Sequence, residues 1–281
     1  MSAAREAKKG LTDLRSAMKK IEPFFKPMGE PGPNDWLAHF NEKGQTFDEY
    51  LDENPTLPTK ERGTIYIQPL GTFTGEQSKI LKTAEGYLEA FYDLPVRELP
   101  PKKFGSNLKT TNFRMIDYPK HRQVRTGYVL SEILKPALPK DAAALIAFAN
   151  EDLYPGDANM AFVFGQASFE DRVGVYSLYR LDDFADNATF LRRTLKIAAH
   201  ELGHMFSMRH CTKYECVMSG TNHLAETDSR PIDACPECMA KVCWLSDVKP
   251  AERYKRLAEY CEKNGLKAEA EEFRRKLVAV N

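Results

Sequence analysis

His200-Glu201-Leu202-Gly203-His204-Met205-Phe206-Ser207-Met208-Arg209-His210-Cys211 decides how the rest of the chain is read. Three of the six histidines lie in it. His200 and His204 are four apart, so on a helix they point to one side, one turn above the other. That spacing suits two imidazoles on one Zn2+, at about 2.0–2.1 Å each. Glu201 lies one step round the helix, where it reaches a metal-bound water without being a ligand. If the helix then stops, the chain can turn and bring in His210 as third ligand. Three protein ligands leave a fourth position open, the arrangement of a catalytic rather than a structural zinc.

The helix that carries the motif is expected from about Asn187 to Phe206, capped by Asp186 or Asn187. Leu191, Leu195, Ala198, Leu202 and Phe206 form its core stripe, and the two histidines lie on another side. Cys211-x4-Cys216 and Cys235-x2-Cys238 follow directly. Two such pairs are what a closed four-cysteine zinc site needs. Because Cys211 adjoins His210, that zinc would fix the loop delivering the third histidine. Met218, just beyond Cys216, can serve as an apolar floor beneath the histidines. Cys243 and Cys261 read as buried thiols.

Working outward, Thr64 to Gly71 reads as a strand, Gly75 to Tyr92 as a helix and Val96 to Leu99 as a second strand. That order predicts a crossover in a mostly parallel sheet. Residues 100–122 are polar and basic and read as a solvated loop, followed by a short helix near Thr126–Leu134. Ala142 to Ala149 is wholly apolar, as expected at the centre of a sheet covered on both faces. Ala161 to Gly165 and Val173 to Tyr179 read as two more strands. The first is the expected edge, where a peptide could add as an extra strand along Phe162, Val163 and Phe164. Residues 250–281 read as a helical hairpin turning at Asn264-Gly265. Residues 1–62 read as an extension packed on the domain, with a helix from Leu11 to Phe25 and an acidic–aromatic stretch from Asp35 to Tyr50. A carboxylate of that stretch could occupy the open zinc position and restrain access.

At 281 residues the chain is long enough for one catalytic domain, 63–248, between those appendages. Its 40 basic and 40 acidic residues give zero net charge, which argues against a nucleic-acid surface. No apolar run approaches membrane-spanning length, and the N-terminus lacks the apolar core of a secretory signal. The expectation is a cytoplasmic monomer whose cysteines bind metal rather than form disulfides.

The histidine motif, the methionine after it and the Cys-x4-Cys-x-Met run resemble the metzincin metallopeptidases, and among them the archaemetzincins. The resemblance covers roughly Thr64 to Trp244. It implies an α/β (α+β) fold with a twisted mixed sheet, an active-site helix and a zinc-stabilised C-terminal subdomain. It also implies His200, His204 and His210 on a catalytic zinc, Glu201 as general base, and Cys211, Cys216, Cys235 and Cys238 on a structural zinc. A zinc-dependent peptidase hydrolysing peptide bonds is the expected activity. A catalytically silent, zinc-stabilised peptide-binding or interaction protein is the alternative. Ser207 departs from the pattern, which has glycine there to end the helix abruptly. If Ser207 takes a positive φ, Ser207→Gly is expected to stabilise by about 1 kcal/mol.

Overall fold

The computed structural model describes residues 3–105, 108–157 and 160–281, with side chains from Gly10 onward. In chain order, helices α1 (Ala3–Ile21), α2 (Trp36–His39) and α3 (Phe47–Asp52) precede strand β1 (Thr64–Leu70), helix α4 (Gly75–Tyr92) and strand β2 (Val96–Glu98). Strands β3 (Phe113–Asp117) and β4 (Lys120–Arg125) come next, then α5 (Thr126–Tyr128), which runs on as a π-helical turn, Val129–Leu134. Strands β5 (Ala142–Ala149), β6 (Asp152–Tyr154), β7 (Gly165–Ala167) and β8 (Val173–Ser177) lead into α6 (Asn187–Met205). The chain ends with α7 (Leu224–Ser229), α8 (Pro236–Leu245), α9 (Pro250–Lys263) and α10 (Lys267–Val280).

These elements form two units, each assembled from distant parts of the chain. One comprises Met1–Pro55, Tyr87–Asp93 and Met208–Asn281; the other comprises Thr56–Gly86 and Leu94–Ser207. The expected serial division at 62/63 and 248/249 differs from this, because both chain ends pack into the same unit. Long-range packing, which leaves no mark on local composition, sets the boundary.

The unit that holds the sheets has a five-stranded sheet of order β2-β1-β5-β8-β7. Strands β2, β1, β5 and β8 are parallel, and β7 pairs antiparallel with β8. The sheet is therefore mixed. Strands β1, β5 and β8 are buried along their whole length. That is why β5 is an unbroken apolar run, with Ile146 opposite Ile67 on one side and Gly174 on the other.

The expected loop at 100–122 is corrected in its second half. Strands β3 and β4 form an antiparallel hairpin, and β6 adds parallel to β4 as a second, three-stranded sheet. Only Gln123 and Val124 of the hairpin are buried, so its outward residues are charged and its alternation is hard to read. Ser106 and Asn107, in the first half of that segment, lie outside the described residues.

The edge strand also differs. Residues 161–164 are irregular, and the strand begins at Gly165. The Val163 N–H donates to the Leu153 carbonyl, and the Phe164 carbonyl accepts from the Ser177 N–H. Phe162 stacks edge-on to Phe164 and lies 4.0 Å from the Arg180 guanidinium carbon. The aromatic run is packing, and the polar tripeptide after it is the edge.

In the other unit α1 packs on α8 and α10, and α9 and α10 form the expected hairpin. The N-terminal segment is part of this unit's framework. Met28 N–H donates to Lys213 O, Glu215 N–H to Lys26 O, and the Tyr214 hydroxyl to Glu22 at 2.6 Å. A buried carboxylate, Asp233, binds Arg253 of α9 at 3.1 Å and Lys276 of α10 at 3.0 Å. No described helix is long and apolar enough to cross a membrane.

Candidate metal centres

Helix α6 starts where the Asp186 carboxylate accepts the Thr189 N–H at 2.7 Å, a side-chain cap that satisfies one orphan donor of the first turn. From Arg193 to Met205 every residue of the helix is buried. Arg193 reaches back to the carbonyls of Leu181 and Asp183, which pins the preceding loop to the helix. A close approach to the sheet is made possible by Gly174, where an added Cβ would stand 3.1 Å from the Met205 methyl. The sheet thus holds the helix rigidly where it carries the motif.

His200 and His204 converge as their spacing predicts, with the two Nε2 atoms 2.9 Å apart. Phe169 stands beside His204, ring centroids 5.2 Å apart. Glu201 packs against the start of β7, where a Cβ added to Gly165 would stand 2.5 Å from its Oε1. Its Oε2 is buried and finds no hydrogen-bond partner among the described residues. Burial pushes its carboxyl up to about 8. An orphaned buried carboxyl oxygen next to two convergent imidazole nitrogens fits a cation and a water that would engage them.

The helix ends as the motif requires. Ser207 takes φ +63°, the left-handed conformation, and its N–H donates to the His204 carbonyl. A serine survives there because its hydroxyl is used. It accepts the Thr56 N–H at 3.0 Å and donates to the Phe169 carbonyl at 3.4 Å.

His210 lies in the other unit. Its Nδ1–H donates to the Glu42 carboxylate, 2.9 and 2.8 Å from the two oxygens, which leaves Nε2 as the ring atom Glu42 does not hold. Trp36 meets the ring edge-on, centroids 5.1 Å apart. Neither partner was legible in the sequence. Glu42 is 168 residues away, and a carboxylate on a ring nitrogen requires no particular spacing.

Cys211, Cys216, Cys235 and Cys238 come together, each sulfur within 4.8 Å of the others. Cys211 and Cys235 sulfurs are 3.5 Å apart. Cys235 stands at the N-cap position of α8, and Pro236 begins it, which turns the second pair into the cluster. Cys216 Sγ accepts the N–H groups of Met218 and Cys235 at 3.4 and 3.2 Å. Hydrogen bonds from Cys216, Cys235 and Cys238 push the Cys211 thiol far down, while burial pushes Cys216 and Cys235 well up. Four such buried sulfurs ionise together only around a cation, so the donor set fits a four-thiolate zinc. Met218 is fully buried, and its carbonyl accepts the Cys211 N–H at 2.8 Å. Its backbone therefore clips the two cysteines of the first pair to one another. Cys243 and Cys261 are buried thiols outside any disulfide, as expected.

Paired histidines on a buried helix with a carboxyl between them in sequence, in a chain that also carries a four-cysteine cluster, define a zinc metallopeptidase. Comparison with known proteins agrees. The model of Peptidase family M54 matches residues 139–243. Archaemetzincin-2 of Rattus norvegicus is 31% identical over 285 residues, covering 89% of this chain and 78% of that protein. The archaemetzincin of Pyrococcus abyssi is 30% identical over 185 residues, which is 64% of this chain and 94% of that one. Among solved structures, archaemetzincin from Archaeoglobus fulgidus superposes with a TM-score of 0.51 at 27% identity, covering 63% of this chain and 99% of that one. The chain belongs to the archaemetzincin family.

Proposed function

We propose that this chain hydrolyses peptide bonds with Glu201 as general base, and that it holds two zinc ions. His200, His204 and His210 ligate the catalytic ion, and Cys211, Cys216, Cys235 and Cys238 the structural one. The observation that carries the reading is the Glu201 carboxyl. It is buried, one of its oxygens is orphaned, and it follows directly in sequence the first of two histidines whose Nε2 atoms already converge. Bound zinc supplies a Lewis acid for the scissile carbonyl and acidifies water.

The protein groups divide the remaining work. Glu201 takes the proton of the attacking water and hands it to the leaving nitrogen. Substrate lies along the outer edge of β7, Gly165–Ala167, where no strand pairs among the described residues. Phe162, Val163 and Phe164, the substrate residues expected from the sequence, then act by bracing that edge. The Met218 backbone bond to Cys211 supports the loop that carries His210. A monomer acting in the cytoplasm on peptides or proteins completes the proposal.

Glu201→Gln tests it. The variant keeps zinc content and melting temperature, and hydrolysis of a quenched peptide library drops by about 100- to 10,000-fold. Parent-like cleavage by this variant would remove Glu201 from the chemistry. A parent that binds both zincs yet cleaves nothing would be a silent peptide-binding relative.

A further inference from the structure

We infer that Glu42 is a positioning residue for the catalytic zinc: it holds the proton of His210 on Nδ1 and so presents Nε2 as the metal-binding nitrogen. The inference rests on the reading of His210 as a zinc ligand. An imidazole binds a metal through the nitrogen that carries no proton, and free histidine divides its proton between the two. A carboxylate on Nδ1 ends that division and makes Nε2 the better donor. Glu42 is bidentate on Nδ1 at 2.9 and 2.8 Å.

The pair is built in, unlike a surface ion pair between two free side chains. Its side chains are only 17% and 29% exposed for His210 and Glu42. The segment that follows Glu42 is tied to residues on both sides of His210. Gln45 Oε1 accepts the Arg209 N–H at 3.1 Å, and the Thr212 hydroxyl donates to the Lys43 carbonyl at 3.4 Å. Buried Lys241 of α8 clamps Gln45 from behind, on its carbonyl at 2.6 Å and its side chain at 3.0 Å. Gly44 has φ +75°, and an added Cβ there would meet the Thr212 hydroxyl at 2.3 Å. Only glycine lets the segment run this close. Trp36, itself stacked on Phe40 at 4.1 Å, meets the ring at a near-right angle, centroids 5.1 Å apart. The N-terminal segment thereby contributes to the zinc site through the ring of the third ligand, and the Glu42 carboxylate is taken up on that ring.

Zinc affinity of the full chain tests this, read by competition with a chromophoric chelator and by elemental analysis. Glu42→Gln keeps the shape and one acceptor but loses the charge; Glu42→Ala loses the contact. Expected is weaker binding of the labile zinc, by about 10-fold in Glu42→Gln and up to about 100-fold in Glu42→Ala. The four-cysteine zinc and the melting transition stay as in the parent. Nitrogen-15 spectra of histidine-labelled protein, taken after a chelator has removed the labile zinc, should show His210 protonated on Nδ1 in the parent and divided between tautomers in Glu42→Ala. A folded Glu42→Ala protein with parent affinity overturns the inference. If that variant does not fold, parent affinity in Glu42→Gln overturns it. A parent that binds no labile zinc at all instead overturns the reading on which the inference rests.

Discussion

A Cβ added to Gly165 would stand 2.5 Å from Oε1 of Glu201 and 2.8 Å from its Cγ. The first residue of the edge strand and the proposed general base therefore occupy one another's contact shell. Two carbons and an oxygen of Glu201 cannot all retreat by a change at the tip alone, so Gly165→Ala must swing the carboxylate. The expected outcome is retained zinc and retained folding with kcat lowered by about 100-fold, the cost of misplacing a reacting group by about 1 Å. Steady-state hydrolysis with parallel zinc analysis checks it. Full activity in Gly165→Ala would mean that the carboxylate has room to do its work elsewhere.

Ser207 separates backbone strain from side-chain bonding. A residue with a Cβ at φ +63° costs about 1–2 kcal/mol, which glycine would relieve. The hydroxyl, however, accepts the Thr56 N–H at 3.0 Å, and losing that bond costs about 1 kcal/mol. Ser207→Gly should therefore change stability little, rather than gain the full amount expected from the sequence. Ser207→Ala keeps the strain, loses the bond and should destabilise by about 1 kcal/mol or more. Denaturant unfolding of the pair measures the difference. A stabilised alanine variant would contradict the account.

Much of this architecture was readable because the physics behind it is local. The i, i+4 histidines, the cap at Asp186 and the apolar run of β5 each follow from periods of 3.6 or 2 residues. Ser207 was legible for the same reason, since a helix that must stop needs a left-handed residue. Glu42, Trp36 and Thr56 were not, because their partners are more than a hundred residues distant and impose no pattern on their neighbours. Strands β3 and β4 escaped for a different reason. With one face in solvent and basic residues along it, their composition is that of a loop. The edge strand was displaced because Phe162–Phe164 are strongly apolar, and apolar character marks burial before it marks strand.

Asp152 supplies a prediction about pH. Burial alone would raise its carboxyl, but Arg180, Gln123 and His121 outweigh it, so it lies below its ordinary 3.8. Arg180 binds both of its oxygens, at 2.8 and 2.7 Å. A carboxyl depressed in the folded state adds stability that is fully present above the unfolded value. That stability is lost as pH falls through the lower folded value. Asp152→Asn leaves the guanidinium without its partner and should cost about 3 kcal/mol at neutral pH. The gap between variant and parent should narrow as pH falls below 3.8. Urea unfolding at neutral pH and in acid tests both halves, and a gap independent of pH would exclude ionisation as its source.

The two proposed zinc sites should differ in what their removal does. The histidine pair sits on a helix held by its own cap, by Arg193 and by close packing at Gly174, none of which involves metal. The four sulfurs have no such independence. Cys235 stands at the N-cap position of α8, Cys216 Sγ accepts two backbone N–H groups, and Cys211 is tied through its own N–H to Met218. Without a cation these buried thiols must take up protons, and the sulfur acceptors on which that turn depends weaken. A chelator should therefore remove one zinc first, abolishing hydrolysis while near-UV circular dichroism stays native. The second zinc should leave only as the fold is lost. His204→Ala should reproduce the first state, folded with one zinc, and Cys216→Ser the second. Elemental analysis taken alongside the spectra decides the matter. One zinc per folded parent chain, or a Cys216→Ser protein as stable as the parent, would defeat the two-site scheme.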